Sequence, residues 1–111
     1  MLSARTLLRS RNARWLRSLH SQQAAVGFVG AGNMGRGMAA SLARAGLPVA
    51  QFDRDTAALA ASAAANPLIE AVGSLEELCS RASTVVVSVA GEAAERSVFL
   101  EPGGVLEVAA P

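Results

Sequence analysis

The stretch AVGFVGAGNMGRGMAASLARAG, residues 25–46, restricts the possible folds more than any other part of the chain. An apolar run, Ala25 to Val29, leads into glycines at positions 30, 32 and 35, and a helix-forming run follows as far as Gly46. A strand that feeds GxGxxG into a helix gives each glycine a physical task. Gly30 makes the tight turn, Gly32 lets a pyrophosphate approach the backbone, and Gly35 lets the helix pack closely on the strand. The unpaired N–H groups that open the helix then face the phosphates, and the helix dipole favours their charge. The motif therefore predicts a dinucleotide site that needs no charged side chain at the phosphates.

The following segments extend the pattern. Leu47 to Phe52 reads as a second strand, with Pro48 tolerated near its start, and it ends in Asp53. Asp53 lies eighteen residues beyond Gly35, near the ~20-residue spacing at which a carboxylate accepts the ribose hydroxyls of an adenosine. That favours NAD, because a 2′-phosphate would meet a negative charge. Arg54 argues for NADP, since a neighbouring guanidinium can hold that phosphate. A structural role is also open to Asp53 as cap of the next helix, although Asp55 or Thr56 could serve there.

Thr56 to Ala65 is nearly all alanine, a helix by propensity, and Asn66-Pro67 ends it. Leu68 to Val72 is a short third strand. Ser74 with Glu77 three residues later is a capping box, which starts a helix that runs to Arg81. Glu76, Glu77 and Arg81 read as a solvated face. Thr84 to Val89 (TVVVSV) is a β-branched run of the kind buried on both faces of a parallel sheet. Four strands with intervening helices predict a Rossmann-type doubly wound α/β sheet in the order 3-2-1-4, its N-terminal half only. The order reverses between strands 1 and 4, which places Val89, Ala90 and Gly91 beside the glycine loop, where their backbone can line the ribose. Glu92 to Phe99 is a further helix, and Glu101-Pro102-Gly103-Gly104 is turn chemistry rather than a second phosphate cradle.

Composition separates the front of the chain from its body. The first 25 residues hold Arg5, Arg9, Arg11, Arg14 and Arg17 and no acid, whereas the other 86 hold five arginines against nine acids. An Arg-rich, Ser-containing, acid-free leader has the composition of an organelle transit peptide. Residues 1–24 are thus expected to direct import into the mitochondrial matrix, and 25–111 to form the nucleotide-binding domain. The alternative is a basic arm for nucleic acid or anionic lipid, but an acidic body and the lack of lysine argue against it. No run approaches the ~20 apolar residues that cross a bilayer. The single Cys79, among Leu75, Leu78 and Ala82, reads as a packed thiol, and no Cys/His cluster offers a metal site.

With FD after the glycine motif, VGFVGAGNMGRGMAASLARAG resembles the opening of the β-hydroxyacid dehydrogenases, most nearly the mitochondrial 3-hydroxyisobutyrate dehydrogenases. These enzymes carry a nucleotide-binding domain of the 6-phosphogluconate dehydrogenase type. GSLEEL, STVVVSVAGEAAERSVF and GGVL are similar to later blocks of the family, so the resemblance spans about residues 25–107. It implies hydride transfer from a small 3-hydroxy acid to NAD. Gly30, Gly32, Asn33, Met34 and Gly35 would bind the pyrophosphate and Asp53 the ribose. Gly37 stands where the family often has proline, and Val89-Ala90 where it has Leu-Pro. The family's substrate motifs and catalytic lysine would fall beyond Pro111, and the chain contains no lysine, so no position here is assigned a catalytic role. Two alternatives stay open: an NADP-dependent aldehyde or imine reductase of the same superfamily, and a non-catalytic dinucleotide-binding module.

Overall fold

The computed structural model describes residues 25–109, so the expected leader over residues 1–24 lies outside it. The elements alternate as β1 (Ala25–Val29), α1 (Asn33–Arg44), β2 (Val49–Phe52), α2 (Thr56–Ala65), β3 (Ile69–Ala71), α3 (Leu75–Arg81), β4 (Ala82–Val87), α4 (Glu92–Leu100) and α5 (Val105–Val108). All strand pairs are parallel, and the order is β3-β2-β1-β4. This is the doubly wound α/β arrangement that the sequence predicts. Strand ends differ from the sequence reading by one or two residues. The short α5 was not anticipated; it begins directly after the glycine pair and buries Val105.

Side-chain alternation along the strands divides the core into two layers. On one face Phe28 and Val49 pack with Ala39 and Ala43 of α1 and with Leu68 and Ile69. On the other, Ala25, Val29 and Ala50 pack with Leu78 of α3, Val98 of α4 and Val105 of α5. Small residues let α1 lie close to the sheet. A Cβ on Gly35 would fall 2.6 Å from the Gly30 carbonyl oxygen. The helix then stops at Gly46, which has φ +91°. The Gly46 N–H donates to the Ala43 carbonyl at 2.9 Å and the Leu47 N–H to that of Leu42 at 3.1 Å, so the last carbonyls are satisfied before the chain turns into β2.

Two expectations need correction. TVVVSV does not form a strand buried on both faces: β4 runs from Ala82 to Val87, with Ser83 and Thr84 exposed and Val85 to Val87 only half-buried. The reason is position, because β4 is an edge strand whose one neighbour among the described residues is β1. Its register also slips at the start, where Ala25 pairs with Ala82 and Val26 with Thr84, leaving Ser83 as an extra residue. The second correction concerns Arg81, which is not merely solvated. It pairs with Glu70 at 2.6 Å and with Glu77 at 3.2 Å, tying α3 to β3. The hydrogen bond to Glu70 holds the Arg81 pKa above its ordinary value.

Caps follow the sequence closely. The Ser74 hydroxyl accepts the Glu77 N–H at 3.1 Å, while the Glu77 carboxylate reaches back to the Gly73 N–H at 2.9 Å. The reciprocal half of the box thus falls one residue earlier than expected. At α2 the cap is Asp55, whose carboxylate accepts the Ala58 N–H at 3.1 Å. Cys79 is half-buried against the second layer, and burial raises its thiol pKa, which favours the protonated form.

Candidate nucleotide site

Parallel strands deliver their carboxyl ends to one rim, and at that rim the glycine turn is held from several sides. The Gly30 N–H donates to the Phe52 carbonyl at 2.9 Å, and the Ser88 N–H donates to that of Val29 at 2.8 Å. Gly30 has φ +116°, a conformation that L side chains rarely adopt, and a Cβ there would lie 2.0 Å from the Ser88 carbonyl oxygen. The turn is therefore as tight as the motif requires, and it is closed by β4 as well as by β2.

A buried residue that sequence reasoning missed completes the support. Gln51, fully buried in β2, donates from Nε2 to the Gly30 carbonyl at 2.7 Å and accepts the Ser62 hydroxyl of α2 at 2.5 Å. The signal was a polar residue in the middle of an apolar strand. Gln51→Leu keeps the volume but leaves the Ser62 hydroxyl and one arm of the Gly30 carbonyl unpaired. Each buried unpaired group costs ~1–3 kcal/mol, so a loss of about 3 kcal/mol is expected in urea unfolding, partly recovered in Gln51→Leu/Ser62→Ala. A neutral single variant would show that the amide does not support the turn.

Beneath this turn, between the ends of β1, β2 and β4 and the helices α1 and α4, lies a cavity of about 580 Å³. Gly30, Gly32, Asn33, Met34, Gly35, Asp53, Arg54, Val89 and Ala90, all singled out from the sequence, line it together. Gly91 is not part of the lining; it is the N-cap of α4. Ser88, Ala94, Ser97 and Val98 belong to the wall, and no pattern in the sequence marked them. The volume falls within the ~300–1,000 Å³ of ordinary small-molecule sites.

The donors at the cavity suit a phosphate. No side chain caps α1, and its first turn holds no acid, so its leading N–H groups are left for a ligand. By contrast α4 opens with Glu92 and Glu95, which oppose an anion. Asn33 spends its side-chain oxygen on Arg36 at 3.0 Å, leaving its Nδ2 amide and its main-chain N–H as the donors to offer. Gly32 is the most informative position. Its backbone is φ −69°, ψ −172°, open to any residue, and a Cβ would meet no protein atom within 4 Å. Neither strain nor packing within the protein requires glycine there. The free space above it is where a pyrophosphate would come close.

Asp53 and Arg54 are already engaged by the protein itself. One carboxylate oxygen of Asp53 accepts the Ala31 N–H at 2.7 Å, and the other accepts the Asp55 N–H at 2.7 Å. Asp53 thereby fixes the glycine loop, a role that sequence reasoning did not assign. Each oxygen keeps a second lone pair that can accept a hydroxyl. The Arg54 guanidinium crosses to α4, where it donates to the Ser97 hydroxyl and lies 3.9 Å from the Glu101 carboxylate.

Among the described residues no group of His, Cys, Asp and Glu could hold a metal ion, and no helix is long and apolar enough to cross a membrane. A search of curated proteins finds no match. Residues 25–111 match the family model of the NAD binding domain of 6-phosphogluconate dehydrogenase. That match implies a nicotinamide dinucleotide as cofactor and covers every element from the first strand onward. The chain belongs to this family of NAD-binding domains.

Proposed function

We propose that this chain is the nucleotide-binding part of an NAD-dependent 3-hydroxyacid dehydrogenase resembling 3-hydroxyisobutyrate dehydrogenase. The observation that carries the reading is Gly32, a glycine that the protein's own packing leaves unexplained and a pyrophosphate explains. The leading N–H groups of α1, at Asn33, Met34 and Gly35, would hold the pyrophosphate, and Asp53 would accept the ribose hydroxyls. The cofactor, when bound, supplies the hydride acceptor. This chain's residues bind and orient it, and no proton-transfer step is assigned to any of them. The resemblance at GAGNMG, STVVVSVAGEAAERSVF and GGVL supports the substrate class, a small 3-hydroxy acid. The arginines of residues 1–24 support import into the mitochondrial matrix, with that segment as the transit peptide.

A second reading, an NADP-dependent aldehyde or imine reductase, is favoured by Arg54 at the cavity wall. Calorimetric titration of the full chain with NAD and with NADP separates the two. NAD is expected to bind more tightly, because Asp53 opposes a 2′-phosphate. In Asp53→Ser the NAD/NADP affinity ratio should fall by about tenfold, the size of one hydrogen bond to a charged group. The ratio is the proper readout, because losing the Ala31 contact also loosens the loop for both nucleotides. Tighter NADP binding by the wild type would overturn the NAD reading.

A further inference from the structure

We infer that Glu101 sharpens the preference for NAD given by Asp53, by holding Arg54 away from the ribose 2′ position. The inference rests on the nicotinamide-dinucleotide reading above. Arg54 directly follows Asp53 and lines the same cavity, so its guanidinium starts next to the carboxylate proposed to receive the ribose. It is turned instead toward α4. Its Nη2 donates to the Ser97 hydroxyl and faces Glu101 at 3.9 Å, and that hydroxyl donates in turn to the same Glu101 oxygen at 3.0 Å. Ser97 is buried, and its single proton is committed to Glu101, so its lone pairs point to the arginine. The three groups form a chain from the loop after β2, across the cavity wall, to the end of α4.

This arrangement has an electrostatic consequence. Asp53, Arg54 and Glu101 together carry one net negative charge, and the only cation among them faces the carboxylate farther from the ribose. A 2′-phosphate would meet Asp53 without a free guanidinium. If the Glu101 charge is removed, as in Glu101→Gln, the trio becomes neutral and Arg54 keeps only neutral partners, the Ser97 hydroxyl and the new amide, at the end of α4. Its side chain is 75 % exposed, so rotation about its own bonds is enough to bring it to a 2′-phosphate. The same exposure limits the effect. The Glu101 side chain is 63 % exposed, and such a pair is a weak restraint. A gain of about fivefold in NADP affinity is therefore the expected scale. NAD carries no charge at the 2′ position, and Glu101 does not line the cavity, so NAD affinity should stay within about twofold.

The test is calorimetric titration of the full chain with NAD and with NADP in three forms: wild type, Glu101→Gln, and Arg54→Gln/Glu101→Gln. Glu101→Gln should raise NADP affinity about fivefold with NAD unchanged, and the double variant should lose the gain. An unchanged NADP/NAD ratio in Glu101→Gln, with NAD still bound, would overturn the inference alone. A gain that survives in the double variant would also overturn it, since relief of repulsion without Arg54 would then be the cause. Failure of every form to bind either nucleotide would overturn the dinucleotide reading together with this inference.

Discussion

Gly30→Ala is expected to unfold the protein or nearly so, with a loss of more than about 4 kcal/mol, a large share of the ~5–15 kcal/mol that holds a domain together. Two independent costs add at this position. The backbone sits at φ +116°, where an L residue is strained whatever its surroundings. The new methyl carbon would also stand 2.0 Å from the Ser88 carbonyl oxygen, about half of a normal contact distance. Neither side can retreat cheaply. Ser88 is fixed by its N–H bond to Val29, and Gly30 by its bonds with Phe52 and Gln51. Relief would require β4 to separate from β1, which removes an edge of the sheet. Far-UV circular dichroism and urea unfolding of the purified variant measure this directly. A variant with the wild-type midpoint would mean that β4 does not close the turn as described.

Gly32→Val should behave in the opposite way: a folded protein that no longer binds the nucleotide. One residue, Ala31, separates the glycines, yet their reasons differ. At Gly32 the backbone is ordinary and the space beyond Cα is empty of protein. The only structural cost is a poorer N-cap for α1, about 1 kcal/mol. The branched side chain would instead fill the space through which a pyrophosphate reaches the helix N–H groups. Affinity for NAD should fall by at least ~100-fold, because a phosphate kept from those donors loses several charge-assisted hydrogen bonds. Thermal unfolding with and without NAD gives both readouts at once. The wild type should gain stability as ligand rises above its dissociation constant, about 2.7 kcal/mol at a hundredfold excess, and the variant should gain none. A folded Gly32→Val protein with unchanged NAD affinity would remove the glycine turn from the site.

The contrast shows what a sequence of this kind discloses. Elements with a local cause were readable: β1 from its apolar run, α1 from the glycines and its Gly46 stop, α3 from its Ser74 cap, and the sheet order from the alternation of types. The nine proposed cofactor residues meet around one cavity because the strand order alone brings β1, β2 and β4 to a common rim. Features with a non-local cause were hidden. Gln51 gains its meaning from Ser62 and Gly30, and Ser97 from Arg54, partners 11, 21 and 43 residues away. The half-exposure of β4 follows from its place at the edge of the predicted order, although its run of valines taken alone reads as a strand covered on both faces. Asp53 was noticed for its reach to a ligand, while its bond to Ala31 needs the loop's geometry to be known.

That last bond and its companions bear on how the phosphate loop moves. Ala31 is tied to Asp53 and Gly30 to Gln51 and Phe52, with the Ser88 carbonyl close against it. The turn therefore has little freedom of its own, although it joins a strand to a helix at a surface cavity. To open it, β2 must yield its grip and β4 must move, so the cost of opening approaches that of unfolding the sheet rather than that of a surface segment. Ligand entry must then proceed by side chains parting at the cavity mouth, where Arg54 and Met34 are exposed, while the phosphate cradle itself waits preformed.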